Sequence, residues 1–346
     1  MSEEQVITPQ NNNYLLGQEE AEQIFLQAWQ QNNMHHAWIL SGPQGIGKAT
    51  LAYRIARFLL SGAKMLQSLQ TDDKSFIFQQ VANNSNPDLM VVEKDYIETD
   101  RKKILSAIKK GENIDDEMLS GLKKSAFIRV DDIRKVSEFL SKTSFNDGWR
   151  VVIIDSADDM NKNAANALLK ILEEPPAKTI LLLISHNIGT LLPTIRSRCA
   201  KLPLKTLSMN DVASLLRRYR PQLKEEKVLK LAQISGGSIG RAIKYADADA
   251  LELYEDMQNI IMSGRNLNLQ QTLDFCAQAA ADADKFAILE ELLLRFIKEM
   301  MQSSKHIEEL YQFQTEMQKM FADCLNINMD KKMMLINLLT ELNKVL

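Results

Sequence analysis

The chain has 346 residues, with 42 basic and 45 acidic side chains and a formal net charge of −3. At roughly 150 residues per domain this predicts two or three domains with ordinary cores, and the charge balance excludes a generic basic DNA coat: any duplex contact must come from a local patch or be shared with partner chains. Cys199, Cys276 and Cys324 form no CxxC pair, the polar start is not expected to be a secretory signal, and Val151 to Ile154 and Ile180 to Ile184 are strand-sized runs, too short for a bilayer.

Trp38-Ile39-Leu40 predicts a short strand running into a glycine-rich turn, followed by a helix whose Leu51, Ile55, Phe58 and Leu59 share one face. Asp88 to Val92 is a second strand. Mixed charge between Glu93 and Phe127 reads as a partly helical surface insertion. Arg150 to Asp155 is a third strand, apolar on both faces as buried parallel strands are. Asn161 to Glu174 is a helix turning Leu168, Leu169 and Leu172 inward and stopped by Pro175-Pro176. Thr179 to Ser185 is a fourth strand and Lys201 to Leu204 a short fifth. Strands alternating with helices imply a doubly wound parallel sheet.

From about Leu207 the strand signals vanish. Asp211 to Tyr219, Glu225 to Ile234 and Ser238 to Tyr245 predict three short helices, and the chain is helical after Asp249. Leu289, Leu292, Leu293, Phe296, Ile297 and Met300 form one apolar stripe; Leu335, Leu338, Leu339 and Leu342 form another. Met317, Met320, Met329, Met333 and Met334 read mostly as core filling, with a smaller share for contact between subunits.

The sharpest motif is Gly42-Pro43-Gln44-Gly45-Ile46-Gly47-Lys48, which fits G-x-x-x-x-G-K between a strand and a helix. Glycines there let backbone N–H groups curl around a phosphate, and the helix start and lysine supply positive charge. The next residue is Ala49, where a Mg²⁺-holding hydroxyl is needed. Thr50, one step on, is turned about 100° away. Asp155 ends the third strand on the side where open α/β sheets bind ligands, but Ser156 follows it where a hydrolase would carry a water-orienting glutamate. Asp158 and Asp159 read as a solvated helix start or, less simply, as replacement bases. Gly42, Gly45, Gly47, Lys48, Thr50 and Asp155 thus outline a degenerate nucleotide site. His35, His36, His186 and His306 have no metal spacing.

Asn166 to Pro176, reading NALLKILEEPP, and Ser197-Arg198-Cys199 after Leu192-Pro193-Thr194-Ile195-Arg196 carry a resemblance. With His36-Ala37-Trp38, the glycine-rich loop and Asp155, they resemble the AAA+ clamp-loader subunits of bacterial DNA polymerase III over about residues 14–245. The resemblance implies an α/β P-loop AAA+ domain over 1–205 with a parallel sheet flanked by helices. A small helical lid over 206–249 and an all-α collar that oligomerises over 250–346 would follow. Arg198 would be an arginine finger acting in trans on a neighbour's nucleotide. Arg241, in Gly237-Ser238-Ile239-Gly240-Arg241-Ala242, would contact the phosphates of its own subunit's nucleotide, and Asn187 stands at the sensor place after the fourth strand. Cys199 is expected to be a buried small hydrophobe, and Ser197 to shape the finger's backbone.

Two departures from the family are visible. Ser61 to Asp88 lacks the cysteines of the family's zinc module, so no zinc is expected, and the charged stretch before Phe127 exceeds the usual spacing. Ala49 and Ser156 favour an accessory, stator-like subunit with no intrinsic catalysis, or only weak ATPase and weak ATP or ADP binding. The implied partners are the gamma/tau and delta subunits, the sliding clamp and, through the complex, primer–template DNA, in the cytoplasm and away from membranes. The alternatives are an ATP-hydrolysing gamma/tau-type motor and a non-replicative P-loop AAA+ protein.

Overall fold

In the computed structural model of the chain, residues 7–62, 68–110, 122–144, 147–263, 268–304, 306–327 and 329–345 are described. The chain divides into two compact units, Met1–Asp211 and Val212–Leu346.

The first unit is built on five parallel strands: β1 (Ala37–Ser41), β2 (Leu89–Val92), β3 (Arg150–Ile154), β4 (Thr179–Ser185) and β5 (Ala200–Pro203). Their order across the sheet is β2-β3-β4-β1-β5. All five fall where the sequence predicts strands. The central three are buried on both faces, which is why they read as continuous rather than alternating apolar runs. Trp38, Leu40, Val151, Ile153, Leu182 and Ile184 face one layer, with α1 (Glu19–Gln30) and α2 (Lys48–Leu60). Ile39, Val152, Ile154, Leu181 and Leu183 face the other, where α5 (Val130–Ser141) and α6 (Lys162–Glu173) contribute Ile133, Val136, Leu168 and Leu172. Asn161 caps α6 by accepting from the Ala164 amide at 2.9 Å. The charged insertion contains α4 (Glu98–Lys110), laced by Lys102–Glu98 and Lys103–Asp100 pairs; residues 111–121 of that insertion lie outside the described residues.

Sequence periodicity places one apolar face on α2, yet the structure buries nearly the whole helix, including two arginines. Arg57, 0% exposed, donates to the Gln10 carbonyl at 2.8 Å and the Asn12 carbonyl at 2.9 Å, and its guanidinium lies 4.8 Å over the Phe78 ring. Phe78 belongs to α3 (Phe76–Ala82). Arg54 pairs with Glu22 at 2.6 Å and donates to the Asn13 carbonyl. Two cations therefore bind the N-terminal strap, residues 10–13, along α2 and beside α3. Among the described residues no cluster of three or more His, Cys, Asp or Glu is placed to hold a metal ion. Elemental analysis of the purified protein is expected to find well under one zinc per chain; one equivalent would require ligands outside this arrangement.

The second unit is helical. It takes in most of α8 (Met209–Tyr219), then α9 (Glu225–Ile234), α10 (Ile239–Asp247), α11 (Ala250–Met262), α12 (Leu269–Ala281), α13 (Ala283–Ser303), α14 (Ile307–Ile327) and α15 (Lys331–Val345). Asn268 and Asp282 cap α12 and α13 through their side-chain oxygens. Leu289, Leu292, Leu293 and Ile297 of α13 and Leu335, Leu338, Leu339 and Leu342 of α15 are buried, as their spacing predicts. The methionines divide: Met317 and Met334 fill the core, whereas Met329 and Met333 are exposed. Among the described residues no helix is long and apolar enough to cross a membrane.

Candidate nucleotide site and the amino-edge arginine

The glycine-rich loop joins the carboxyl end of β1 to α2. Gly42, Gly45 and Gly47 have φ of 145°, 76° and 102°, in the left-handed half of backbone space that favours glycine. A Cβ at Gly42 would stand 2.7 Å from the Leu204 carbonyl oxygen, and one at Gly47 would meet Leu15 at 2.8 Å. Gln18, buried, anchors the loop from outside: its amide donates to the Ile46 carbonyl at 3.1 Å and the Lys205 carbonyl at 2.8 Å. The positive-φ glycines give the loop its tight curvature, and the contacts with Leu204 and Leu15 leave no room there for larger residues.

Lys48 is only 3% exposed and curls back on the loop, donating to the Gly42 carbonyl at 2.6 Å and to the Pro43 carbonyl. Burial pulls its ammonium down to about 8, against the opposing pull of Asp155 and Asp158. Asp155 stands at the end of β3, its carboxyl raised above the ordinary range by burial and by Glu93. It also helps line a cavity of about 350 Å³ with Tyr53, Asn86 and Glu93. Ala49 presents no oxygen, and Thr50 is buried in α2. These residues fit a phosphate; they do not supply the hydroxyl that would complete a Mg²⁺ site.

Because β4 lies between β1 and β3, the residues that follow β4 come to rest between the phosphate loop and Asp155. Here the structure adds what the sequence reading lacks. Ser156, at φ 61° in the left-handed region, sets its hydroxyl 3.3 Å from Nε2 of His186. Burial and Lys48 hold that imidazole below its ordinary pKa. Asp158 is neither a solvated helix start nor a free base. Its carboxylate accepts from the Ser185 hydroxyl at 2.7 Å, the Thr190 hydroxyl at 3.1 Å and the His186 amide. Asp159 pairs with Lys94 at 3.0 Å. Asn187 is exposed and accepts from the Gly189 amide at 3.0 Å, so it shapes its own loop, and the ring facing Ser156 is that of His186. Partners 27 to 32 residues apart leave no local pattern to read.

Arg198 lies at the other end of the sheet. It follows α7 (Pro193–Arg196) and precedes β5, whose Ala200 sits beside Trp38 near the start of β1. At about 3.3 Å per strand residue, Arg198 lies roughly 15 Å along the strand direction from the loop after Ser41. Its Nη2 pairs with Glu173 at 2.9 Å and its Nη1 donates to the Thr194 carbonyl at 3.1 Å. Cys199 is buried, its thiol pushed up to about 12 by desolvation, which makes it an inert apolar residue. In the second unit Arg241 opens α10 behind the Ser238 cap. It donates to the Ser235 carbonyl at 3.1 Å and approaches Glu291 at 3.4 Å.

The family model for "DNA polymerase III, delta subunit" matches residues 17–208. A DNA polymerase III subunit delta' from Pseudomonas aeruginosa is 36% identical over 207 residues, 59% of this chain and 53% of that protein. A subunit gamma from Buchnera aphidicola is 26% identical over 270 residues, 77% of this chain and 63% of that protein. A Bacillus subtilis subunit delta' is 29% identical over 190 residues, 54% and 47% of the two chains. The chain therefore spans about half to three-fifths of the length of these relatives. With more than half of its residues matched by the family model, the chain belongs to the DNA polymerase III delta subunit family.

Proposed function

We propose that the chain is an accessory, stator-like subunit of the bacterial clamp loader, which helps the DNA polymerase III holoenzyme place its sliding clamp on primed DNA. The observation that carries this reading is the separation of the two candidate centres. The glycine-rich loop sits at the carboxyl end of the sheet and Arg198 at the amino end, so Arg198 is out of reach of its own loop and free to serve another chain's. A guanidinium fixed where negative charge redistributes during phosphoryl transfer stabilises the transition state electrostatically. Relatives named delta' and gamma support a place in the DNA polymerase III assembly, and the proposed neighbour is a gamma/tau-type ATPase. The delta subunit, the clamp and primer–template DNA complete the proposed set of partners. Residues 206–249 would act as the lid and 250–346 as the collar of that ring, and Arg241 as the lid's contact to nucleotide.

In this reading the chain's own site binds ATP or ADP weakly through Gly42, Gly45, Gly47, Lys48 and Arg241, with Thr50 and Asp155 beside it. Binding there must first detach Lys48 from the two loop carbonyls it now satisfies. Hydrolysis by the chain alone is expected at background, because Ala49 and Ser156 replace the groups that hold Mg²⁺ and orient water. Steady-state ATPase of the isolated protein checks this, with Ala49→Ser combined with Ser156→Glu expected to raise it. Motor-like turnover by the unmodified chain would reject the accessory role in favour of an active ATPase.

A further inference from the structure

Resting on the trans role of Arg198, we propose that Glu173 is a positioning residue for that guanidinium, setting its direction before the neighbour's nucleotide arrives. Glu173 is the last residue of α6, immediately before the Glu174-Pro175-Pro176 stop, and Arg198 follows α7. The two strings NALLKILEEPP and Ser-Arg-Cys therefore meet in space through one ion pair, Nη2 to Oε1 at 2.9 Å. A second anchor comes from α7 itself, whose Thr194 carbonyl accepts from Nη1 at 3.1 Å. The carboxyl end of α6, the negative end of its dipole, adds attraction for a cation at that place.

One guanidinium N–H donates to the Thr194 carbonyl, and the Glu173 carboxylate lies 2.9 Å from Nη2 as a counter-charge. The side chain remains 37% exposed, and its partner 51%. A free arginine samples many rotamers, and contacts to two elements narrow that range before binding. The pair is also weak. Exposed ion pairs are worth about 0.2–1 kcal/mol, at most about a five-fold change in rate, so Glu173 orients the fork without competing seriously against a phosphate. Burial on both sides of Arg198, at Ile195 and Cys199, fixes the backbone from which the side chain starts. Orientation is thereby set at both ends of the arginine.

The test is a double-mutant cycle in the assembled complex with gamma-type ATPase subunits, read as DNA-stimulated ATP hydrolysis. Co-elution on gel filtration confirms assembly of each variant. Glu173→Ala is expected to lower kcat at the neighbouring site about two- to five-fold with KM for ATP unchanged, because the finger acts on the transition state. Glu173→Gln, which keeps the length but removes the charge, is expected to lose about as much as alanine, whereas Glu173→Asp, which keeps the charge, is expected to retain more of the rate. In an Arg198→Ala background Glu173→Ala should add nothing. Full activity of Glu173→Ala, an effect on KM alone, or an undiminished loss in the Arg198→Ala background would each overturn the positioning role. Arg198→Ala is the control for the underlying reading: if it leaves turnover unchanged, the trans role itself fails, whereas a loss there with normal Glu173 variants rejects only this inference.

Discussion

Replacing Arg198 by alanine is expected to reduce hydrolysis at one neighbouring ATP site by roughly 10³–10⁵, the range an arginine finger supplies in phosphoryl transfer. ATP binding at the other sites should be unaffected, so the assembled complex should retain nucleotide but lose coordinated clamp loading. The chain itself should fold normally. Arg198 loses one half-exposed ion pair and one carbonyl contact, a change within about 0.5–1 kcal/mol. Arg198→Lys should not rescue, since an ammonium lacks the planar fork that reaches two oxygens together. The measurement is DNA-stimulated ATPase and clamp loading in reconstituted complexes carrying each variant. Normal loading by the alanine complex would reject the finger, and failure to assemble would recast Arg198 as an interface residue.

Arg57→Ala acts on this chain alone and is expected to destabilise the first unit by about 2–4 kcal/mol. The substitution removes the donors to the Gln10 and Asn12 carbonyls of the strap and the cation over Phe78. Burial already lowers the arginine to about 10, so its charge is held by these contacts rather than by water. Arg57→Met, which keeps apolar volume but no donors, should lose nearly as much. Lysine should recover only part, because one ammonium cannot reproduce the two-pronged geometry. Trp29, Trp38 and Trp149 all lie in the first unit, so tryptophan fluorescence during urea unfolding reports on it selectively. An unchanged midpoint would show that the strap is held by other contacts.

These two arginines mark what local sequence can place and what it misses. The position of Arg198 at a sheet edge is legible because a helix precedes it and a strand follows it; its role rests on the resemblance. The strands are legible for a similar reason: Val151 to Ile154 and Ile180 to Ile184 are buried on both faces, so each residue carries the signal. Arg57 is not legible. Its acceptors are 45 and 47 residues away in the strap, and a charged residue opposite an apolar stripe reads as solvated until the strap covers it. Asp158 fails in the same way, since the hydroxyls it binds follow or end a strand some 30 residues later. The helices α1, α3 and α5 are missing from the sequence expectations, although Ile133, Val136 and Leu140 of α5 recur at helical spacing and pack on the sheet. The glycine-rich loop gave its chemistry away through composition; the fold of Lys48 back onto that loop did not.

The order of the sheet also has a consequence for how the chain is made. β1 is made before the other four strands, yet its two neighbours are β4 and β5, with Ala37 beside Leu181 and Trp38 beside Ala200. At about 5–20 residues per second, roughly ten to thirty seconds of synthesis separate that strand from its second partner. Through that interval Trp38, Ile39 and Leu40 have no sheet to enter, and β2 and β3 cannot supply one, because β4 must come between. The first unit therefore keeps apolar segments unpaired until late in its synthesis. Its completion comes in a single late step, when residues 179–203 thread the centre and edge of the sheet together.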